Sequence, residues 1–377
     1  MELLGVILIF IFSPFEIYLK TNVGTISKLL GGVVFYIFVL QILRKGKISI
    51  PREGLFLLIF ILLGAASFYW AFYPDVSLGR SITLVQLFIL FIITYNSFKN
   101  KKSAKTIAYM IFILCGVIIS LNIVRQVILL GSVSKWTRIS ISEEIDVNHL
   151  ASFLITPFLL GLHYSITKSV KYLVPTFIIL SAILFTQSRS AFVAIVFSIG
   201  LYLFKYYKRE KIKFRHILIF LASIFFVSNF IPKEFFHRIY LMFTDKDILL
   251  SGSGRSVIWG LAWHYFKLYP INGIGLGNFT PLYRPPHSSF FQILSELGLL
   301  GLGTISLFLL FLFHNPQQKN RARKPNIEYI IVVALLIMSL TVDIFYRKYL
   351  WIMIGIYSAQ KNEIIDHESE GKTIQAI

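Results

Sequence analysis

The amino-acid sequence predicts an all-α fold: a polytopic membrane bundle of about twelve transmembrane helices, with one large outer loop that carries an amphipathic helix. Three observations predict it. Of 377 residues, 56% are hydrophobic and only 15% charged, against roughly 45–50% and 25% in an ordinary soluble domain. Apolar runs long enough to cross a hydrocarbon layer of about 30 Å recur along the whole chain. Lys and Arg gather in alternate short loops between those runs. The net charge of +19 is thus scattered rather than collected on one segment, which speaks against a nucleic-acid footprint. The single cysteine, Cys115, lies inside an apolar run, which excludes an internal disulfide framework and a cysteine metal site.

Taken in order, the spans are expected near 3–19, 26–43, 54–73, 82–98, 106–130 and 149–166, then 172–186, 190–207, 216–231, 288–313, 327–344 and 348–359. The seventh and twelfth are short, since about 12–15 helical residues cover under ~25 Å, and a re-entrant segment is an alternative for either. The whole chain, 1–377, reads as a single transmembrane domain. The first apolar run lacks a basic leader and a small-residue cleavage site, so it is expected to be a retained span. One set of short loops and the tail from 361 hold 22 Lys and Arg; the alternate loops hold eight. Both termini are therefore expected in the cytoplasm.

That orientation puts the long hydrophilic connection 232–287 on the outer face. Its middle, RSVIWGLAWHYFKLYP (255–270), aligns Val257, Leu261, His264 and Leu268 on one stripe beside Trp259, Trp263 and Phe266, as an interfacial helix or a bundle cap does. NGIGLGN (272–278) and RPPH follow. The glycines come after a helix rather than between a strand and a helix, so a dinucleotide site is not expected.

Charges near hydrocarbon are expensive and single out candidates. Arg189 stands in TQSRSA (186–191), a connection too short to be a flexible loop; it is either an interfacial arginine or a ligand-binding one. Arg255 opens the amphipathic helix after SGSG, where backbone donors and a guanidinium fork together suit an anion; the alternative is a solvated loop charge. His287 stands at the mouth of the tenth span and can accept a proton near neutral pH, as activation of a sugar hydroxyl requires, or it is structural. Ser288, Gln292 and Ser295 or Glu296 form a polar stripe below it. Glu296 lies about 13 Å from His287 along a helix axis, too far for a direct partner. Asp343 and Arg347 are one turn apart if the helix continues, and pair with each other in that case. Arg125 either snorkels or points into a cavity, and Glu16 and Lys20 form an i, i+4 pair. Asp245 and Asp247 form a D-x-D, a weak sign of a metal-bound nucleotide sugar. No HExxH or GxxxxGK[ST] occurs, so neither a zinc hydrolase nor an ATP motor is supported.

Two arginines and a histidine on one outer face suit an anionic, already activated donor embedded in lipid. At these residues the chain resembles the bacterial O-antigen ligase and O-antigen polymerase family. DVNHLA (146–151), TQSRSA, GRSVIW (254–259) and PHSSFFQILSELGLLG (286–301) resemble its motifs in its order. The resemblance implies a GT-C-like, inverting glycosyltransferase of the bacterial cytoplasmic (inner) membrane, with no cofactor and no metal. It implies an undecaprenyl-diphosphate-linked saccharide as donor and a glycan acceptor, lipid A core or growing polysaccharide, with membrane lipids as surroundings and no nucleic acid. By that likeness Arg189 and Arg255 bind the diphosphate and His287 activates the acceptor, while Asn148, Glu296 and Asp343 support substrate binding. A transporter or flippase is the alternative; it is disfavoured because the ionisable groups cluster at one face and no half-repeat is visible.

Overall fold

Peptide groups in hydrocarbon find no water, so apolar runs fold as helices that satisfy their own backbone. The computed structural model describes residues 2–15, 20–21, 24–45, 48–129, 145–206, 255–314 and 326–375. In chain order the helices are α1 (Glu2–Phe12), α2 (Ile26–Lys45), α3 (Arg52–Ala66), α4 (Pro74–Phe98), α5 (Lys102–Leu129), α6 (Val147–Thr167), α7 (Leu173–Phe185) and α8 (Arg189–Tyr206). They continue as α9 (Arg255–Leu268), α10 (Phe279–Leu282), α11 (Ser289–Phe313), α12 (Ile327–Ser339) and α13 (Lys348–Gln375). Two-residue strands, Lys20–Thr21 and Gly24–Thr25, pair antiparallel before α2.

Among the described residues, five helical stretches are long and apolar enough to cross a membrane: Arg52–Tyr69, Pro74–Phe98, Lys102–Leu129, Val147–Thr167 and Ser289–Phe313. Four shorter apolar helices stand beside them. The expected ninth span, 216–231, lies outside the described residues, as does 232–254 of the outer connection. The expected eleventh span stops early, at Ser339, because Leu340 to Arg347 turn instead of continuing the helix.

The core centres on α6 and α13, where Phe153, Leu154 and Phe158 and then Trp351, Ile352 and Met353 are buried. The Asp146 side chain caps α6, accepting from the backbone N–H groups of Asn148 (2.8 Å) and His149 (3.2 Å), which ties two orphan donors and fixes where this helix begins. Pro157 sits inside α6 and faces Gly116 of α5, where even a Cβ would lie 2.6 Å from the proline ring. The opposite end of the bundle is closed by polar contacts: Lys361 donates to Glu53 (3.5 Å) and to the Phe311 carbonyl (2.5 Å), and Lys105 to Gln360 (3.3 Å).

The helix α11 is broken at Gly298 (φ 58°, ψ −150°). Backbone groups freed by the break bond the glycine loop: Ile274 and Gly275 N–H donate to the carbonyls of Ser295 (3.1 Å) and Glu296 (2.9 Å), while Leu299 and Leu300 N–H donate to Pro270 (2.9 Å) and Ile271 (3.1 Å). Non-helical backbone at this depth is tolerated because the loop supplies its partners. Gly273 makes the approach possible: its φ is +65° and an added Cβ would lie 2.3 Å from the Glu296 carbonyl carbon. Gly273→Ala is expected to destabilise by about 2–5 kcal/mol, from left-handed backbone and overlap together. Thermal denaturation in detergent checks this against Gly260→Ala, whose Cβ meets nothing within 4 Å; equal midpoints for the two variants contradict it.

The amphipathic segment is helical as expected, but its buried face is one residue out of register. Ile258 and Ala262 are buried, with Tyr265 beside them, and the helix packs on α11. Val257 and Leu268 of the expected stripe are 65% and 56% exposed, and Trp263 beside it is 44% exposed. The helix thus carries two apolar faces, one holding it to the bundle and one turned outward.

Candidate functional site

Each candidate side chain is positioned by a short, hydrogen-bonded piece of backbone. Between α7 and α8, Thr186 N–H bonds the Ala182 carbonyl (3.1 Å), Gln187 takes φ 52°, and Ser188 N–H bonds the Thr186 hydroxyl (3.3 Å). Ser188 Oγ then donates to Asn148 Oδ1 (3.0 Å), and Thr341 Oγ1 donates to Ser190 Oγ (2.6 Å). Arg189 is therefore flanked by two serines tied to α6 on one side and to the turn after α12 on the other. That explains how the three-residue connection Thr186 to Ser188 holds the charge that opens α8 in one place.

His287 is set by the proline turn before it. Trp259 Nε1 of α9 donates to the Pro286 carbonyl (2.8 Å) and its ring stacks on Phe291 at 5.1 Å. The backbone turns sharply at His287 (φ 49°), and Ser288 then caps α11 by accepting from Phe291 N–H (3.4 Å). His287 Nδ1 lies 3.8 Å from Asp343 Oδ2. Burial pushes the Asp343 carboxyl above its ordinary range; the His287 side chain, backbone N–H groups of His287 and Ser288, and Arg347 pull it back. Asp343 was expected to pair with Arg347 on a continuous helix. The helix ends at Ser339, and the carboxylate faces the His287 ring instead.

Arg255 opens α9. Burial lowers its pKa first and the Arg189 charge lowers it further, while Asp146 and Asp343 oppose both. Two guanidinium groups and two carboxylates thus act on one another at one end of the bundle. Arg255, Asn148 and His287 line a cavity of about 170 Å³ with Asp146 and Arg284. A second cavity, of about 690 Å³, adjoins it at Pro285 and His287.

Of the six residues singled out from sequence, Arg255, Asn148, His287 and Asp343 line the two cavities, while Arg189 lines neither and reaches them through the effect of its charge on Arg255. Glu296 also lines neither: it is buried beneath, where its carboxylate accepts from Gly277 N–H (2.8 Å) and Gln292 Nε2 (3.3 Å). It holds the glycine loop to α11. Arg125 is exposed on α5 and lines neither cavity. Asp245, Asp247 and the glycines before Arg255 lie outside the described residues, as do the side chains of Glu16 and Lys20. Among the described residues, no three His, Cys, Asp or Glu gather as a metal site.

Sequence reasoning missed His149, Arg80 and Arg284. His149 stands one residue past Asn148 in the first turn of α6 and lines the larger cavity. Arg80, the one charge in the second turn of α4, lies over the Tyr346 ring at 4.9 Å and lines the same cavity. An isolated arginine between apolar stretches was the available signal. Arg284, beside the two prolines, lines the smaller one.

No curated protein matches the chain. The family model described as O-antigen ligase matches residues 174–306, a segment that holds Arg189, Arg255 and His287. Over that segment the chain is similar to the O-antigen ligase family, and its five long apolar helices point to an integral membrane protein.

Proposed function

We propose that this protein moves a saccharide from an undecaprenyl-diphosphate carrier to a hydroxyl of a glycan acceptor, at the outer face of the bacterial cytoplasmic membrane and with both termini in the cytoplasm. One observation carries the reading: Arg189, Arg255 and the His287–Asp343 pair converge at one end of the bundle. A diphosphate leaving group needs charge neutralisation more than protonation, and guanidinium supplies permanent charge in a fork that matches phosphate oxygens. Arg189 and Arg255, whose charges act on one another, suit a ligand with at least two negative charges.

The chemistry follows from these groups. The His287 imidazole takes the proton of the acceptor hydroxyl as its oxygen bonds to the anomeric carbon. The bond from that carbon to the diphosphate oxygen breaks, its electron pair leaves with the diphosphate, and the anomeric configuration inverts. Asp343, which faces Nδ1, orients the ring and stabilises the imidazolium that forms. The charge that a metal provides in other transferases comes here from arginine, so no metal takes part. The 232–287 connection forms the outer loop of a single transmembrane domain and contains α9.

The test uses the full-length protein in nanodiscs with a polyprenyl-diphosphate saccharide. Release of prenyl diphosphate with chelator present, and none from a nucleotide sugar, is the expected outcome. Turnover of the nucleotide sugar, or none of the lipid-linked donor with any glycan acceptor, overturns the reading. Deleting the gene separates the acceptors: long chains lost from lipid A with lipid-linked polymer accumulating means ligase, and single-repeat products mean polymerase.

A further inference from the structure

The first turn of α6 sends two consecutive side chains to two different places. Asn148 lines the smaller cavity with Arg255 and Arg284, whereas His149 lines the larger one with His287. Successive residues of a helix point about 100° apart, so one turn serves both. Inverting displacement brings the incoming oxygen to the face opposite the leaving diphosphate. A side chain near His287 but in the cavity away from Arg255 therefore meets the acceptor. Resting on the transfer reading above, we propose that His149 is a specificity-determining residue: its Nδ1 hydrogen-bonds a second hydroxyl of the acceptor sugar, next to the hydroxyl that His287 deprotonates.

The imidazole is held in place and left unsatisfied. Its backbone N–H donates to Asp146 Oδ1 (3.2 Å), and its carbonyl accepts from Ser152 Oγ (2.8 Å), which also bonds the Tyr349 hydroxyl of α13. Yet His149 Nδ1 is buried and, among the described residues, has no hydrogen-bond partner. Asp343 Oδ1, in the same cavity, is in the same state, so this polar end has more hydrogen-bonding capacity than the protein fills. A buried polar atom left unpaired is costly. A hydroxyl, donor and acceptor at once, answers Nδ1 in either ring tautomer, whereas a phosphate oxygen only accepts and an ammonium only donates. The charges of Arg347 and His287 also act on His149, which disfavours a cation there. Neighbouring carbons of a sugar ring each carry a hydroxyl, so a sugar that brings one to His287 brings the next towards the residue lining the same cavity. No bond to this second hydroxyl forms or breaks. It fixes which hydroxyl the sugar presents to the base, and with it the linkage.

The test gives the full-length protein in nanodiscs the repeat unit that accumulates in a strain lacking it, on its native carrier and with its terminal hydroxyls blocked, so that it can only donate. The acceptors are the unblocked carrier-linked repeat unit and lipid A core, and linkage analysis of the wild-type product identifies the reacting hydroxyl. Analogues of the accepting sugar then carry hydrogen in place of each neighbouring hydroxyl in turn. The wild-type protein is expected to use one of them at least about 10²-fold less well in kcat/KM, because a site built around a hydroxyl leaves polar atoms unpaired without it. His149→Leu should raise KM for the intact acceptor about tenfold, the order of one buried hydrogen bond. It should leave donor KM unchanged and shrink the penalty on that one analogue by a similar factor. His149→Asn, whose amide stands where Nδ1 does, should recover most of the loss, and His149→Gln, whose amide reaches past it, should not. That contrast carries the comparison where His149→Leu accumulates poorly. Without substrate, the melting temperature of His149→Leu should not fall, since an unpaired polar atom is removed.

Equal use of all the deoxy analogues, as when water fills the space at Nδ1, overturns the proposal. A rise in donor KM with His149→Leu assigns the residue to the donor and overturns it as well. A lower melting temperature with acceptor KM unchanged makes His149 structural, with the same result. If the wild-type protein leaves the blocked donor untouched with both acceptors, the transfer reading itself falls.

Discussion

His287→Ala in the full-length protein is expected to lower the rate of saccharide transfer by about 10²–10⁴-fold, the usual contribution of a positioned general base. KM for the lipid-linked donor should change little. The reason for the split is chemical: His287 stands where the two cavities meet, with Asp343 3.8 Å from its Nδ1, and the permanent charge beside it comes from Arg255 and Arg284. Removing the imidazole takes away the proton acceptor without touching the charges that hold the diphosphate. The Asp343→Asn variant gives the second arm. It keeps the size of the side chain and the N–H contacts from the turn, but removes the charge facing the ring. Because the carboxylate only orients and stabilises the imidazolium, its loss should be smaller than that of His287→Ala, and the double variant should be no worse than His287→Ala alone. Additive losses contradict the assignment, since groups that act as a unit are not additive. A His287→Ala variant with unaltered turnover ends it.

The helices and the site were legible in the sequence to different depths. Apolar runs between basic loops announce helices directly, because in hydrocarbon there is no competing backbone structure; the long spans from Pro74 to Leu129 and from Ser289 to Phe313 follow the expected runs. Where a run ends in a polar turn, hydropathy reads through it. Val342, Ile344 and Phe345 are apolar and buried, so the eleventh span was drawn to 344 although the chain leaves the helix after Ser339. That one difference moved Asp343 from a local pair with Arg347 to the ring of His287. Arg189 stands out as a charge in a short connection, and Arg255 and His287 as polar residues at the start of the amphipathic helix and at the end of the long outer connection. Their convergence depends on Asn148, Ser190 and Thr341, whose hydroxyl and amide bonds carry no sequence signature. The glycine loop was recognised as a turn, but not as the piece that completes a broken helix: Gly298 sits in a run, SELGLLGLG, that hydropathy reads as unbroken.

Removing the guanidinium of Arg255 tests the anion site from the binding side. Arg255→Ala is expected to lower transfer by about 10²–10³-fold, as loss of one preorganised donor to developing charge does, and Arg255→Lys to fall between, keeping charge without the two-pronged fork. Stability supplies the discriminating readout. Arg255 is partly buried and its charged form is disfavoured by that burial and by Arg189, only partly offset by Asp146 and Asp343. Without ligand, the pair of arginines is held against its own repulsion, so Arg255→Ala should leave the melting temperature unchanged or raise it slightly. Functional sites often trade stability in this way. Farnesyl diphosphate, a soluble anion with a short prenyl tail, should raise the melting temperature of the wild-type protein, because a ligand that binds only the folded state stabilises it. In Arg255→Ala and in Arg189→Ala that rise should vanish, and farnesol should produce none in any of the three proteins. A purely structural arginine behaves in the opposite way: its removal lowers the melting temperature of the free protein and leaves the ligand shift intact. That outcome removes Arg255 from the diphosphate site and, with it, the basis for reading this end of the bundle as the place where the lipid carrier departs.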